Sequence, residues 1–124
     1  MIAPQAPAHS VWDGVYSDDQ AKRGGTVYAT ECASCHGDLL TGGEMAPPLV
    51  GGEFMANWEG LTAWDLFARI RKTMPQNKPG KLTLAENADV LAYIFRFNEF
   101  PSGKDELGTK TESLSQIKIE SKKK

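Results

Sequence analysis

Residues 32–36 of the chain read Cys-Ala-Ser-Cys-His. The two residues between the cysteines place both sulfur atoms on one side of a tight helical turn. The imidazole of His36 follows at the next position, where it can ligate a metal on that same side. This stretch therefore presents two reactive sulfur atoms and a metal-binding nitrogen together, and the rest of the fold is interpreted around it.

The C-x-x-C-H spacing is typical of covalent haem attachment, with Cys32 and Cys35 forming the thioethers and His36 ligating the iron. Three alternatives explain these residues less completely. A zinc site needs about four ligands, but the only other histidine in the chain is His9. A redox-active thiol pair expects a βαβ context, and a plain disulfide leaves His36 without a role. The sequence therefore predicts one covalently attached haem c and its iron.

Length and composition divide the chain of 124 residues into three parts. Residues 1–16 are predicted to form an extended arm, 17–100 the compact domain, and 101–124 a charged extension. Apolar residues that could anchor the extension are Leu107, Leu114, Ile117 and Ile119. A compact unit this small usually needs a disulfide, metal or prosthetic group to stabilise it, which agrees with the haem prediction.

Charge and hydropathy exclude two classes of partner. The formal net charge is −2, and no basic stripe is interleaved with aromatic residues, so nucleic acid is not expected as a ligand. No apolar run approaches the ~18 residues that a membrane span requires. No signal peptide is evident, which leaves two interpretations open: a cytoplasmic protein, or a mature form whose export signal was removed.

Three segments carry helix signals and none shows strand alternation, so the predicted fold class is all-α. Each helix starts with a capping-box pair: Ser17 with Gln20, Thr62 with Asp65, and Thr83 with Glu86. The first helix runs towards Cys32, the second stops at Pro75, and the third ends before Pro101. The third is apolar nearly all round and should be the most buried. Loops rich in glycine and proline connect the helices.

The second axial ligand of the iron has four candidates, which are His9, Met45, Met55 and Met74. Met45 is close to His36 in sequence and would have to reach the opposite face of the ring. Met74 ends the second helix, and Pro75 holds it in an extended conformation, so it can point inward across the haem. Met74 is the predicted ligand and Met55 the main alternative.

Residues 17–100 resemble the class I cytochromes c of a short bacterial kind. Besides the attachment motif, Gly24, Tyr28 and Cys32 fall four residues apart, and Asp89-Val90-Leu91-Ala92-Tyr93-Ile94 lies in the third helix. The resemblance implies three main helices with long loops wrapped around one covalent haem. It also implies that Gly24 permits a close crossing, where Val90 and Tyr93 meet Gly24 and Tyr28.

The resemblance assigns further residues to the site. Ala46-Pro47-Pro48-Leu49 is similar to the segment whose proline carbonyl accepts a hydrogen bond from the proximal histidine, which implies Pro47 and His36 here. Thr73-Met74-Pro75 is similar to the distal methionine segment. Trp58 is assigned a hydrogen bond to a haem propionate, with core packing as the equal alternative. The haem-binding side chains and segments implied in this way are Tyr28, Pro47, Leu49, Trp58 and Tyr93.

The resemblance implies an electron carrier and not an enzyme, and no catalytic set of acid, base or nucleophile is apparent. We expect one-electron transfer in a bacterial respiratory chain, from a quinol-oxidising complex to a haem–copper terminal oxidase. The extension after Phe100 resembles that of cytochrome modules serving periplasmic quinoprotein dehydrogenases, so an electron-accepting module is the alternative. A haem sensor or peroxidase would need an open iron position, which ligation by Met74 would fill.

Basic residues surround Met74 and predict the docking surface for a redox partner. They are Arg69, Arg71, Lys72, Lys78 and Lys81, with no acidic residue between the first and the last. Steering of an acidic partner is the favoured interpretation, and an ordinary solvated surface is the alternative. We expect a monomer located in the periplasm or elsewhere outside the cytoplasm, because members of the resembled family acquire their haem there. Tethering through a removed N-terminal segment is left open.

Overall fold

The computed structural model of the chain describes residues 9–32, 40, 42, 48–73 and 82–120. Its α-helices are α1 (Asp18–Glu31), α2 (Gly51–Trp58), α3 (Ala63–Thr73), α4 (Leu84–Phe97) and the short α5 (Thr111–Leu114). A 3-10 helix spans Val11–Asp13, and strands β1 (His9–Ser10) and β2 (Ile117–Lys118) pair in parallel. The mostly helical architecture confirms the predicted all-α class. The helices α2 and α5 and the small sheet are additions that the sequence did not predict.

The three predicted helices begin where their capping pairs indicated. The hydroxyl of Ser17 accepts the backbone N–H of Gln20 at 3.1 Å. At the other two starts the bonds are reciprocal: the N–H of Thr83 donates to Glu86 at 2.9 Å, and the N–H of Glu86 donates to Thr83 at 3.1 Å. Thr62 and Asp65 exchange the same pair of bonds before α3. These contacts satisfy backbone donors that a helix start leaves without partners.

Helices α1 and α4 form the most extensive helix–helix contact of the described chain. The backbone of α4 lies so close to α1 that any Cβ at position 24 would overlap the carbonyl oxygen of Asp89. Only glycine fits at this point, which confirms the predicted role of Gly24. Beside it the rings of Tyr28 and Tyr93 lie 5.3 Å apart between centroids. The close crossing fixes the direction of α1 and therefore the position of its C-terminal end.

Helix α4 is the central helix of the core, as its apolar sequence predicted. Its fully buried apolar residues include Leu91, Ile94 and Phe95, each at most 1 % exposed. Phe54 of α2 and Phe67 of α3 contribute to the same core. None of the helices in the described ranges is both long and apolar enough to cross a membrane.

The segments on either side of residues 17–100 pack onto this core. On the N-terminal side Val11 is fully buried, and the hydroxyl of Tyr16 donates to the carbonyl of Phe100. On the C-terminal side the four predicted anchors are all buried: Leu107, Leu114, Ile117 and Ile119. The strands β1 and β2 join the two segments. The limits at 17 and 100 stay a prediction, while the apolar core itself includes residues from both flanks.

Candidate functional site

Cys32 lies at the C-terminal end of α1 and is the residue of the attachment motif that the structure describes. Its backbone N–H donates to the carbonyl of Tyr28 at 2.9 Å, which continues the helical turn. The residue is half-buried and packs against the core. The predicted attachment residue Cys35, the predicted ligands His36 and Met74, and Pro47, the predicted hydrogen-bond acceptor of His36, lie outside the described residues.

The two tyrosines that the resemblance assigned to the haem environment are brought together at the helix crossing. Tyr28 is 1 % exposed and Tyr93 is half-buried. Tyr28 lies one turn before Cys32, so the aromatic pair packs close to the C-terminal end of α1. Packing of this kind helps a site to hold its first attachment residue in place.

Leu49 is half-buried and is held by both of its backbone groups. Its N–H donates to the carbonyl of Leu40 at 2.7 Å, and its carbonyl accepts the side-chain amide of Asn98 at 2.9 Å. Asn98 also accepts the N–H of Gly51 at 3.1 Å. Asn98 could not be identified from the sequence, because its signal is only an asparagine at the end of an apolar helix.

Trp58 and Met55 occupy the second half of α2. Both are half-buried and pack against the core. Met55 also lines a groove of about 290 Å³ together with Trp12, Phe97 and Phe100. The propionate contact of Trp58 and ligation of the iron by Met55 stay predictions.

The predicted basic docking surface is described only in part. Arg69, Arg71 and Lys72 are exposed on the last turns of α3. Cations at this end of a helix also interact favourably with its dipole, which gives these residues a second physical reason to be there. Lys78 and Lys81 lie outside the described residues.

The described residues fit a large apolar ligand with an iron centre. Partly exposed apolar side chains border the core near Cys32 and α2, among them Val27, Leu49 and Trp58, and such surfaces are what a porphyrin ring covers. The buried polar residues of the described ranges are Ser10, Gln20 and Asn87, which are all uncharged. Within the same ranges no three histidine, cysteine or acidic side chains are grouped as a metal site. The donor chemistry of the attachment motif, two thiols and an imidazole, suits a covalent haem.

This helical fold, with a C-x-x-C-H motif that begins at the C-terminal end of α1, defines a class I c-type cytochrome. Residues 19–94, more than half of the chain, match the family described as cytochrome c oxidase, cbb3-type, subunit III. The chain belongs to this family of c-type cytochrome domains. Membership implies a covalently bound haem c with its iron, as the sequence predicted, and supports a role in electron transfer.

Two further proteins are similar to the chain. A thiosulfate dehydrogenase of Stutzerimonas stutzeri (strain A1501) is 37 % identical over 79 residues, which cover 58 % of this chain and 25 % of that protein. The crystal structure of the sulfane dehydrogenase SoxCD from Paracoccus pantotrophus matches with a TM-score of 0.59 and 21 % identity. That match covers 95 % of this chain and 66 % of the other, and it shows a shared fold. The chain spans about a quarter of the length of the thiosulfate dehydrogenase.

Proposed function

We propose that the protein is a one-electron carrier of a bacterial respiratory chain, that it donates to a haem–copper terminal oxidase, and that it is not itself an enzyme. The observation that carries the proposal is the helix crossing at Gly24, which sets the direction of the helix that ends at Cys32, in a chain of a c-type cytochrome family. When bound, the haem supplies a reversible one-electron change at its iron.

The chain's own residues would hold this group in place. Cys32 and Cys35 would bind it covalently, and His36 and Met74 would ligate the iron. With both ligands in place, gain or loss of an electron would need little rearrangement. A thioether ligand also favours the ferrous state and raises the reduction potential.

Comparison of two methionine variants tests this ligand assignment. Met74→Ala should open the sixth position, so that the ferrous protein binds CO and the ferric protein loses the absorption band of methionine-ligated iron. Met55→Ala removes a thioether that borders the groove on α2 and should change neither property. The assignment is wrong if Met55→Ala gives the CO complex and Met74→Ala does not.

We further propose that the basic cluster, defined as Arg69, Arg71, Lys72, Lys78 and Lys81, steers the acidic surface of the partner towards the haem. Long-range attraction of this kind raises association rates and is screened by salt. Lys72→Glu should therefore slow oxidation of the reduced protein by the oxidase in stopped-flow measurements, most strongly at low ionic strength. Lys110→Glu, an equal charge reversal at an exposed residue near α5, is the matched control. Equal effects of the two reversals would show that the cluster is only a solvated surface.

The second candidate function is an electron-accepting module of a periplasmic dehydrogenase, for which a quinoprotein enzyme was the expectation. The names of the two similar proteins, a thiosulfate and a sulfane dehydrogenase, favour a dehydrogenase as the electron donor. Rapid mixing separates the candidates: the reduced protein is mixed with the oxidase, and the oxidised protein with a dehydrogenase and its substrate. A carrier serving the oxidase is oxidised rapidly in the first mixture.

Thiosulfate added to the oxidised protein alone tests whether the chain has an activity of its own. An electron carrier without a substrate site should stay oxidised. Reduction by thiosulfate without a partner would assign an enzymatic activity to the chain. We place this electron transfer outside the cytoplasm, where c-type cytochromes typically occur.

A further inference from the structure

The side chain of Asn98 uses its whole amide group to join two parts of the fold. Asn98 follows the last residue of α4, and its Nδ2 donates to the carbonyl of Ile94 in that helix at 2.8 Å. The second hydrogen of Nδ2 reaches the carbonyl of Leu49 at 2.9 Å, and Oδ1 accepts the backbone N–H of Gly51 at 3.1 Å. The bond to Ile94 is a local helix-end contact. The other two bonds connect Asn98 to backbone groups that lie 49 and 47 positions away in the sequence.

Leu49 has a second backbone contact with a distant residue. Its N–H donates to the carbonyl of Leu40 at 2.7 Å, so residues 40 and 49 are joined directly. Leu40 is fully buried and has a positive φ of 61°, which shows that its position is strongly determined by its surroundings. Asn98 therefore connects Leu49, and through it Leu40, to the end of the most buried of the described helices.

We propose that Asn98 is a positioning residue of the haem pocket, which holds Leu49 against the haem. The inference rests on the proposed contact of Leu49 with the haem and goes beyond the proposed function, which assigns Asn98 no role. Without the amide, Leu49 keeps its bond to Leu40 but loses its connection to α4. Water then enters beside the ring, and because a more polar pocket favours the ferric state, the reduction potential falls.

Two variants at position 98 separate the bonds of the amide. Asn98→Asp has the same shape and keeps an acceptor for the N–H of Gly51, but it turns an oxygen towards the carbonyls of Leu49 and Ile94. Asn98→Ala removes all three bonds. The matched control is Gln20→Ala, because the side-chain amide of Gln20 also joins distant backbone, donating to and accepting from Leu107 at 3.0 and 2.7 Å. Gln20 lies in the first turn of α1, at the opposite end from Cys32.

The experiment measures three properties of the haem-containing protein: hydrogen exchange at the amides of residues 49 and 51, the haem-methyl NMR shifts, and the reduction potential. Asn98→Ala should increase exchange at Gly51, and both Asn98 variants should move the haem-methyl signals and lower the potential. Gln20→Ala should lower the melting temperature but leave the haem signals and the potential at their wild-type values.

A potential and haem-methyl shifts that are unchanged in both Asn98 variants, or changed equally by Gln20→Ala, would overturn the proposal. Asn98→Asp keeps the test valid if Asn98→Ala does not fold. Failure of the proposed function is recognised separately, because it appears in the wild-type protein as an absence of covalent haem or of electron transfer to the partner.

Discussion

Gly24 lies where α1 and α4 cross, and the carbonyl oxygen of Asp89 occupies the space that a side chain would need. Because the obstacle is backbone, Gly24→Ala should separate the helices and lower the free energy of unfolding by about 3 kcal/mol. Gly52→Ala is the control, since Gly52 is exposed on α2 with nothing near its missing Cβ. That change should be neutral or stabilising by up to about 1 kcal/mol. Urea denaturation of both variants measures the difference, and equal effects would contradict the crossing geometry.

Glu99 occupies a backbone conformation that favours glycine. Its φ is 66°, and the N–H groups of Glu99 and Phe100 donate to the carbonyls of Arg96 and Phe95, the Schellman arrangement that ends many helices. A left-handed conformation costs an L-residue about 1–2 kcal/mol.

Glu99→Gly should therefore raise the free energy of unfolding by about 1 kcal/mol, after allowance for the greater freedom of glycine in the unfolded chain. Arg96→Gly, an exposed position within α4, should instead lower it by about 0.5–1 kcal/mol. Thermal unfolding of the two variants gives opposite shifts of the melting temperature if the strain at position 99 is real.

At the scale of elements, the C-terminal segment after Phe100 behaves as part of the core. Leu114 of α5 is fully buried, whereas Leu84 at the start of α4 is 42 % exposed. Leu114→Ala should lower the free energy of unfolding by about 2–5 kcal/mol because it leaves a cavity. Leu84→Ala should change it by no more than about 0.5 kcal/mol. Denaturant unfolding followed by circular dichroism provides the measurement, and similar midpoints would show that α5 is only loosely attached.

The same segment is joined to α1 and α4 by a small ionic cluster on the surface. Nη2 of Arg23 lies 2.6 Å from Glu106 and 3.3 Å from Asp89, and the hydroxyl of Ser17 donates to Glu106 at 2.8 Å. The hydrogen bond from Arg23, and after it that from Ser17, lowers the pKa of Glu106 below its ordinary value.

A carboxyl group with a lowered pKa in the folded state stabilises the fold above its unfolded pKa. That contribution is lost as the pH falls through the lower folded-state pKa. Glu106→Gln should therefore reduce stability at neutral pH and weaken the loss of stability in acid. Asp105→Asn removes the same charge one residue away and leaves the contact with Arg23 intact. Melting temperatures between neutral and acidic pH test this, and parallel curves for both variants would refute it.

At the scale of the whole molecule, the haem is expected to be part of the folded state. A domain of this size buries a limited apolar area, and iron ligation together with contacts to the ring adds stability that the polypeptide lacks alone. The double variant Cys32→Ser, Cys35→Ser, prepared without haem, should have little helical circular dichroism and no cooperative transition. The haem-containing wild type is the reference. A haem-free form that melts cooperatively with native helix content would show that the polypeptide core suffices.

Features that depend on neighbouring residues could be predicted from the sequence. The attachment motif, the starts of three helices and the apolar helix α4 each depend on groups within one or two turns of each other, so the spacing of those residues is enough to predict them. The close crossing at Gly24 was also anticipated, through the family resemblance. Helix α2 was missed, since it begins with Gly51 and Gly52, residues of low helix propensity.

Only the tertiary structure decided how distant segments meet. Gln20 could be expected to complete a capping box, but its side chain instead bonds the backbone of Leu107, and Asn98 bonds that of Leu49. Both use the side-chain amide to bond backbone groups whose identity depends on chain packing and not on sequence spacing. The sequence by itself therefore determined three of the helices and the chemistry of the attachment motif. The packing of the chain determined which distant backbone groups these amides bond, because those groups become neighbours only when the segments that carry them pack together.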